Sequence, residues 1–177
     1  KNSEIIQTKP RALIKNIDDL PLPAWDLLPD IKKYYRAPSQ SSKKNPVMPM
    51  ITSRGCAHKC IFCDRKVFGN NVRMHSAEYT LEMIKLLKIK FGIREFHIED
   101  DVFTANIKRL ETICCELINR KYNISWSCFA RIDSQLTLEK YKLMKKAGCW
   151  QIKFGIESGS QSVLDIAKKG IKIEQIK

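Results

Sequence analysis

The chain has 177 residues, 44% of them apolar, which is enough to bury one core and too few for two comfortable domains. Its net charge is +13, but the lysines are scattered and joined to no aromatic ladder, so a solvated lysine-rich surface accounts for the charge and nucleic acid is not an expected partner. No run reaches the roughly eighteen apolar residues that a membrane helix needs, and seven cysteines without a signal peptide point to a reducing compartment, read as cytoplasmic. A first residue of Lys rather than Met leads to the expectation of a piece of a longer protein.

Residues 1–46 read as an interdomain linker lying along a domain. Pro21, Pro23 and Pro29 deny the segment Asp19–Pro29 regular hydrogen bonding, and Arg36–Pro46 is a polar loop. Trp25, Leu27 and Leu28 are the expected anchors. From Val47 the chain alternates. Val47–Thr52 is a short apolar strand. Glu78–Phe91 has Leu81, Ile84, Leu87 and Phe91 at helical spacing, closed by Gly92. Arg94–Glu99 is a strand, Asn106–Arg120 a helix, and Ile124–Ala130 a third strand. Thr137 caps a helix running to Ala147 and ended by Gly148, Trp150–Ile156 is a fourth strand, and Ser160 caps a last helix ending at Gly170. Strand and helix repeated four times is the pattern of an α/β parallel sheet with right-handed crossovers. A closed eight-unit barrel needs about 250 residues, so residues 47–177 are expected to form the N-terminal part of a partial (βα) barrel of TIM-like type.

Directly after the first strand comes Ser53-Arg54-Gly55-Cys56-Ala57-His58-Lys59-Cys60-Ile61-Phe62-Cys63. In parallel α/β folds function gathers at the carboxyl ends of strands, so Cys56, Cys60 and Cys63 stand where an active site belongs. Thiolates are soft ligands that suit iron–sulfur clusters or zinc. A closed structural site takes four protein ligands; three thiolates leave one coordination position open. Zinc with His58 or His75 as fourth ligand is the alternative, and would make the chain a non-catalytic interaction module. Cys114 and Cys115 fall on the second helix, and Cys128 and Cys149 read as buried small hydrophobes. Gly55 serves the tight bend into the loop, and Arg54 is structural.

Cys56-x3-Cys60-x2-Cys63 after a first strand, with Phe62 before the last cysteine, resembles the radical S-adenosylmethionine (SAM) enzymes. The resemblance implies a [4Fe–4S] cluster on Cys56, Cys60 and Cys63, a fourth iron site chelated by the amino and carboxylate groups of SAM, and Phe62 against the adenine. It also implies one-electron cleavage of SAM to a 5′-deoxyadenosyl radical. Asp18–Pro29 is similar to the connector between a cobalamin-binding domain and the barrel in B12-binding radical SAM proteins. Ile98-Glu99-Asp100-Asp101-Val102-Phe103-Thr104 resembles that subgroup's acidic motif, in place of the Gly-Gly-Glu segment of many other radical SAM families. Phe129–Asp133 and Phe154–Ser160 resemble its third and fourth strand ends. The similarity runs from about Leu20 to Gly170 and implies four βα units of an expected six, with both ends of the whole protein missing. No Asp-x-His-x-x-Gly cobalamin pattern occurs, so cobalamin is a possible cofactor only through a domain outside this chain.

Each candidate beside the cysteines has a plain rival. Among Glu99, Asp100 and Asp101, one carboxylate is expected to accept from the SAM ammonium, although acids also favour a helix start. Arg131 offers a forked contact to the SAM carboxylate or pairs with Asp133. Glu157 and Ser158 are assigned to SAM ribose hydroxyls or its amino group, because a carboxylate after Ile152, Phe154 and Ile156 is costly if unpaired. Gly155 and Gly159 let backbone approach a ligand or merely turn. The expected function is reductive cleavage of SAM within a B12-dependent methyltransferase, with rearrangement or cyclisation as other outcomes and a tRNA methylthiotransferase as the second enzyme class. Expected partners are a small-molecule substrate and a reductant such as flavodoxin or ferredoxin.

Overall fold

The computed structural model describes residues 5–9, 11–35, 41–132 and 135–176; residues 36–40 of the expected polar loop, and Asp133 with its expected pairing to Arg131, lie outside them. In chain order the elements are α1 Ile31–Tyr34, β1 Val47–Met50, β2 Ser53–Arg54, β3 Arg73–Met74, α2 Ala77–Phe91, β4 Glu95–Ile98, α3 Ile107–Asn119, β5 Ser125–Ala130, α4 Leu138–Lys146, β6 Cys149–Phe154 and α5 Gln161–Ile166. β1, β4, β5 and β6 form one parallel sheet in that order. A helix follows each of these strands, so the expected strand–helix rhythm is the observed one, and the sheet stays open rather than closing into a barrel.

Side chains alternate across each strand. Met48, Met50, Phe96, Ile98, Trp126, Cys128 and Ala130 pack with Leu81, Ile84 and Leu87 of α2 and Leu110, Ile113 and Leu117 of α3 in a single core. Trp126, 2% exposed, donates its indole N–H to the Ala147 carbonyl at 3.0 Å and meets Phe103 edge to face at 5.6 Å. α2 and α3 begin where short polar side chains cap them: Ser76 Oγ accepts from the Tyr79 amide and Asn106 Oδ1 from the Arg109 amide. Thr137 holds the N-cap position of α4 without a side-chain hydrogen bond to the helix; the Glu139 carboxyl is held below its ordinary value by its own backbone amide and by the Thr137 side chain.

Three local features depart from the sequence expectation. The first strand stops at Met50, and Ser53–Arg54 then pairs antiparallel with Arg73–Met74, so the cysteine segment is the tip of a closed ribbon. α5 ends at Ile166 rather than Gly170. The N-terminal segment, expected to be a linker, is held by Ile17, 1% exposed, and Ile31, 3% exposed, while Trp25 packs only partly against the core and Leu27 is 82% exposed. Around Ile17, Asp18 accepts from the Ser76 amide at 3.1 Å and pairs with His75 Nδ1 at 2.8 Å, and the Tyr79 hydroxyl donates to the Leu20 carbonyl. Burial pushes the Asp18 carboxyl up, but the hydrogen bonds from Ser76 and His75 outweigh it and hold the group below its ordinary value.

The amino-terminal end of the sheet is closed by one carboxylate. Glu95 is fully buried. Its Oε2 accepts from the backbone amides of Lys43 and Lys44 at 2.8 and 2.6 Å, and its Oε1 accepts from Trp150 Nε1 at 3.1 Å and meets His97 Nε2 at 3.3 Å. Four donors offset the desolvation that a lone buried carboxylate would suffer. Glu95→Ala strands those donors and is expected to cost about 3 kcal/mol in urea unfolding. Asp18 gives a pH test with the opposite reach. A carboxyl whose folded pKa is depressed stabilises the docked N-terminal segment above the ordinary carboxylate value of about 4 and loses that contribution as pH falls below it and through the lower folded value. Trp25 fluorescence should report linker release on acidification, and Asp18→Asn should remove the transition.

Candidate functional site

The chain leaves β1 through Thr52 and Ser53, and a buried carboxylate fixes both. Asp100, 1% exposed at the carboxyl end of β4, accepts from the Thr52 amide at 2.5 Å, the Thr52 hydroxyl at 2.6 Å and the Ser53 amide at 2.9 Å. Arg109, projecting from α3, faces the same spot. Its Nη2 donates to Thr52 Oγ1 at 2.8 Å and Thr80 Oγ1 at 3.0 Å, and its Nε to the His75 carbonyl at 2.6 Å. Burial lowers the Arg109 pKa, and the Asp100 charge works against that fall. Two charges of opposite sign thus grip the root of the ribbon.

Beyond the root, Gly55 turns with φ +92°, and a Cβ there would stand 2.6 Å from the Asn71 carbonyl oxygen; only glycine lets the two arms of the loop approach so closely. The Cys56 amide donates to the Gly69 carbonyl at 3.4 Å, and Arg65 Nη1 donates to the His58 carbonyl at 3.0 Å. The loop is then docked on the far end of the sheet by the Ile61 amide, which donates to the Ala167 carbonyl at 3.1 Å.

The loop forms one wall of a cavity of about 290 Å³ lined by Cys56, Cys60, Cys63, Phe62, Asp101, Arg131, Gly155, Glu157 and Lys169. It opens at the carboxyl ends of β5 and β6. Cys60 is buried, Cys56 partly so, and Cys63 exposed. Burial and the neighbouring Cys60 push the Cys63 thiol up, Lys169 pulls it down, and Cys56 and Glu157 add to the rise, so these groups share one electrostatic field. Arg131 and Lys169 are 7% and 6% exposed. Arg131 Nη1 lies 3.5 Å from Cys60 Sγ and its Nη2 donates to the Lys169 carbonyl. The Lys169 ammonium pairs with Glu157 Oε1 at 3.0 Å and sits 5.5 Å from the centre of the Phe62 ring.

The backbone on either side of this pair is strained. Glu157 and Lys168 take φ +70° and +51°, a left-handed region that costs a non-glycine residue of order 1–3 kcal/mol when it is held by the fold. Gly155 makes room for the pair, since a Cβ there would lie 2.7 Å from Glu157 Oε1 and 3.1 Å from Lys169 Nζ. Lys169 escaped the sequence reading because Lys168-Lys169-Gly170 has the form of a solvated helix end. The left-handed turn at Lys168 is what ends α5 early and carries Lys169 inward.

The acidic run divides three ways. Asp101 lines the cysteine cavity, Asp100 is committed to Thr52 and Ser53, and Glu99 is exposed on a second cavity shared with Pro21, Trp25 and Arg54 beside the linker. Ser158 lies outside the cysteine cavity, its hydroxyl accepting from the Ser160 amide. His58 borders the cavity, whereas His75 stacks on Tyr79 at 4.1 Å and pairs with Asp18 far from the thiols. Cys114, Cys128 and Cys149 are buried in the core as expected; burial pushes the Cys114 thiol up to about 12, and a hydrogen bond with Cys149 together with burial pushes Cys128 up as well.

The donor set bears on the two metal chemistries. A structural zinc ion takes four protein ligands, and His75, one of the two expected fourth ligands, is paired with Asp18 instead. An iron–sulfur cluster is larger, soft and anionic, and spreads its thiolates over several irons. Three cysteines around one cavity, beside two buried cations, fit that group.

The radical SAM superfamily profile matches residues 50–177. An uncharacterized methyltransferase of Pyrococcus horikoshii is 36% identical over 176 residues, covering 99% of this chain and 37% of the relative. A cytidylyl-2-hydroxyethylphosphonate methyltransferase of Streptomyces wedmorensis is 30% identical over 169 residues, covering 90% and 30%. The chain therefore spans about a third of the length of these curated relatives. Among solved structures, the cobalamin-dependent S-adenosylmethionine radical enzyme OxsB superposes with a TM-score of 0.60 at 29% identity, covering 72% of this chain and 20% of that one. The radical S-adenosylmethionine methyltransferase TsrM of Kitasatospora setae, solved with cobalamin and a [4Fe–4S] cluster, gives 0.63 at 20% identity over 73% and 27%, a likeness of fold. With a family profile covering most of its length, the cysteine loop included, the chain belongs to the radical SAM superfamily.

Proposed function

We propose that this chain is the cluster-binding and SAM-cleaving part of a cobalamin-dependent radical SAM enzyme. The observation that carries this is the convergence of Cys56, Cys60 and Cys63 with Arg131 and Lys169 on one cavity at the carboxyl ends of the strands. Cys56, Cys60 and Cys63 would hold three irons of a [4Fe–4S] cluster. One-electron reduction of SAM at such a cluster yields methionine and a 5′-deoxyadenosyl radical.

The chain's own residues orient the substrate of that step. Asp101 and Glu157 are carboxylates on the cavity wall, suited to the SAM ammonium and ribose hydroxyls. Phe62 offers an exposed ring face to the adenine. Asp100 acts on the site from behind, by setting where the cysteine loop starts, and Glu99 faces the linker. Similarity to methyltransferases supports methyl transfer as the reaction of the whole protein, acting on a small molecule, and the cobalamin-dependent neighbour supports a corrinoid held by a part of the protein outside this chain. Electrons would come from a flavodoxin or ferredoxin in the cytoplasm; no helix among the described residues is long and apolar enough to cross a membrane.

Anaerobic reconstitution with iron and sulfide is expected to give a brown protein with about four irons, and replacing all three cysteines by Ala should abolish it. Colour that survives the triple substitution, or a colourless protein holding zinc, overturns the proposal. Glu157→Gln is expected to weaken SAM binding about tenfold, or roughly 1.4 kcal/mol, with iron content unchanged. Gly155→Ala should do the same, because its methyl group collides with the Glu157–Lys169 pair. Equilibrium binding of SAM to the reconstituted variants measures both.

A further inference from the structure

We propose that Arg131 is a positioning residue for the cluster, donating an N–H···S hydrogen bond to the Cys60 thiolate and raising the cluster's reduction potential. This rests on the function proposed above and assigns Arg131 a task other than clamping the SAM carboxylate.

Several independent observations place it there. Arg131 and Cys60 are both buried, at 7% and 4% exposure, and Nη1 stands 3.5 Å from Sγ, a distance suited to a donor on sulfur. Nη2 is committed to the Lys169 carbonyl, so the guanidinium is held from its far side and cannot swing as a free fork toward a ligand. The turn that supplies this carbonyl is itself fixed to the cysteine loop through the Ile61–Ala167 backbone bond and is carried by the left-handed Lys168. Arg131, the turn and the loop form one unit with the arginine in the middle. Among the described residues no carboxylate pairs with Arg131, whereas the neighbouring Lys169 has Glu157. A buried guanidinium is costly unless an anion faces it, and with a cluster bound the Cys60 thiolate would be that anion. Reduction adds an electron to the cluster and makes its sulfurs more negative. A donor and a positive charge at one sulfur therefore stabilise the reduced state more than the oxidised one, which shifts the potential upward.

The test is a redox titration of the intact, anaerobically reconstituted protein, with dithionite as reductant and the reduced cluster followed by electron paramagnetic resonance. Arg131→Met removes charge and donors at similar volume; it is expected to keep the iron content of the wild type and to titrate at a lower potential, with Arg131→Lys in between. Lys169→Met removes a charge from the same cavity without touching sulfur and should shift the potential less. Full iron with an unshifted midpoint in Arg131→Met, or equal shifts for Arg131→Met and Lys169→Met, overturns the hydrogen bond. Should Arg131→Met fail to retain iron, the wild type decides alone. Exchange into deuterium oxide should shift its iron–cysteine stretching bands in resonance Raman spectra, and unshifted bands overturn the inference. A wild type that binds no cluster overturns the proposed function with it, whereas a cluster with an indifferent Arg131 leaves that function standing.

Discussion

The carboxylate of Asp100 holds the amides of Thr52 and Ser53, and the geometry of the site descends from that contact. A parallel strand at the edge of a sheet has no intrinsic reason to stop where β1 stops. Asp100 captures the next two amides, so the chain leaves the sheet and enters the short ribbon whose tip carries the cysteines. Arg109 reinforces the grip from α3, its guanidinium bonded to the same threonine. The fold thus buries two opposite charges on one threonine where apolar side chains would pack as well or better. What it gains is direction, since hydrogen bonds to named backbone atoms fix the loop's exit in a way that apolar contact cannot.

Above this root the site is an electrostatic balance. Two cations are buried beside three thiols, and Glu157 faces only one of them. The arrangement sets positive charge against the wall that carries the thiols. Its cost is visible in the left-handed backbone at Glu157 and Lys168 and in the need for glycine at position 155. Strain of this kind persists where the surrounding structure over-determines it. Here the docking of the 167–169 turn on the cysteine loop does so, tying the last helix of the chain to the loop after the first strand.

The two ends of the sheet are treated differently. At the amino end Glu95 is sealed by four donors, including the amides of Lys43 and Lys44, so the segment before β1 becomes the floor of the domain. At the carboxyl end the polar groups face an open cavity. The N-terminal segment is pinned at Ile17 and Asp18, and its Leu20–Trp25 stretch shares a second cavity with Pro49, Met50 and Glu99. The acidic run after β4 therefore serves the second cavity, the root of the ribbon and the cysteine cavity with consecutive residues, because the chain leaves the strand at Ile98 and turns at Asp101.

Periodicity alone determined the four strands and four long or short helices of the βα rhythm, to within a residue or two at α2 and α3, since an amphipathic face and a polar cap leave a local record. The cysteine spacing likewise marked the loop and the superfamily, because three closely spaced cysteines in one segment are read without knowing the fold. The ribbon Ser53–Arg54 with Arg73–Met74 left no such record, being two residues on each side. Nor did Glu95, Arg109 and Lys169, whose charges look solvated in the sequence and are buried only because partners distant in the chain arrive to meet them. Leu27, apolar yet exposed, and Ile17, the true anchor, make the same point in reverse. Local pattern fixes which elements form; which charges are desolvated, and against what, is decided only when the sheet brings the ends of its strands together.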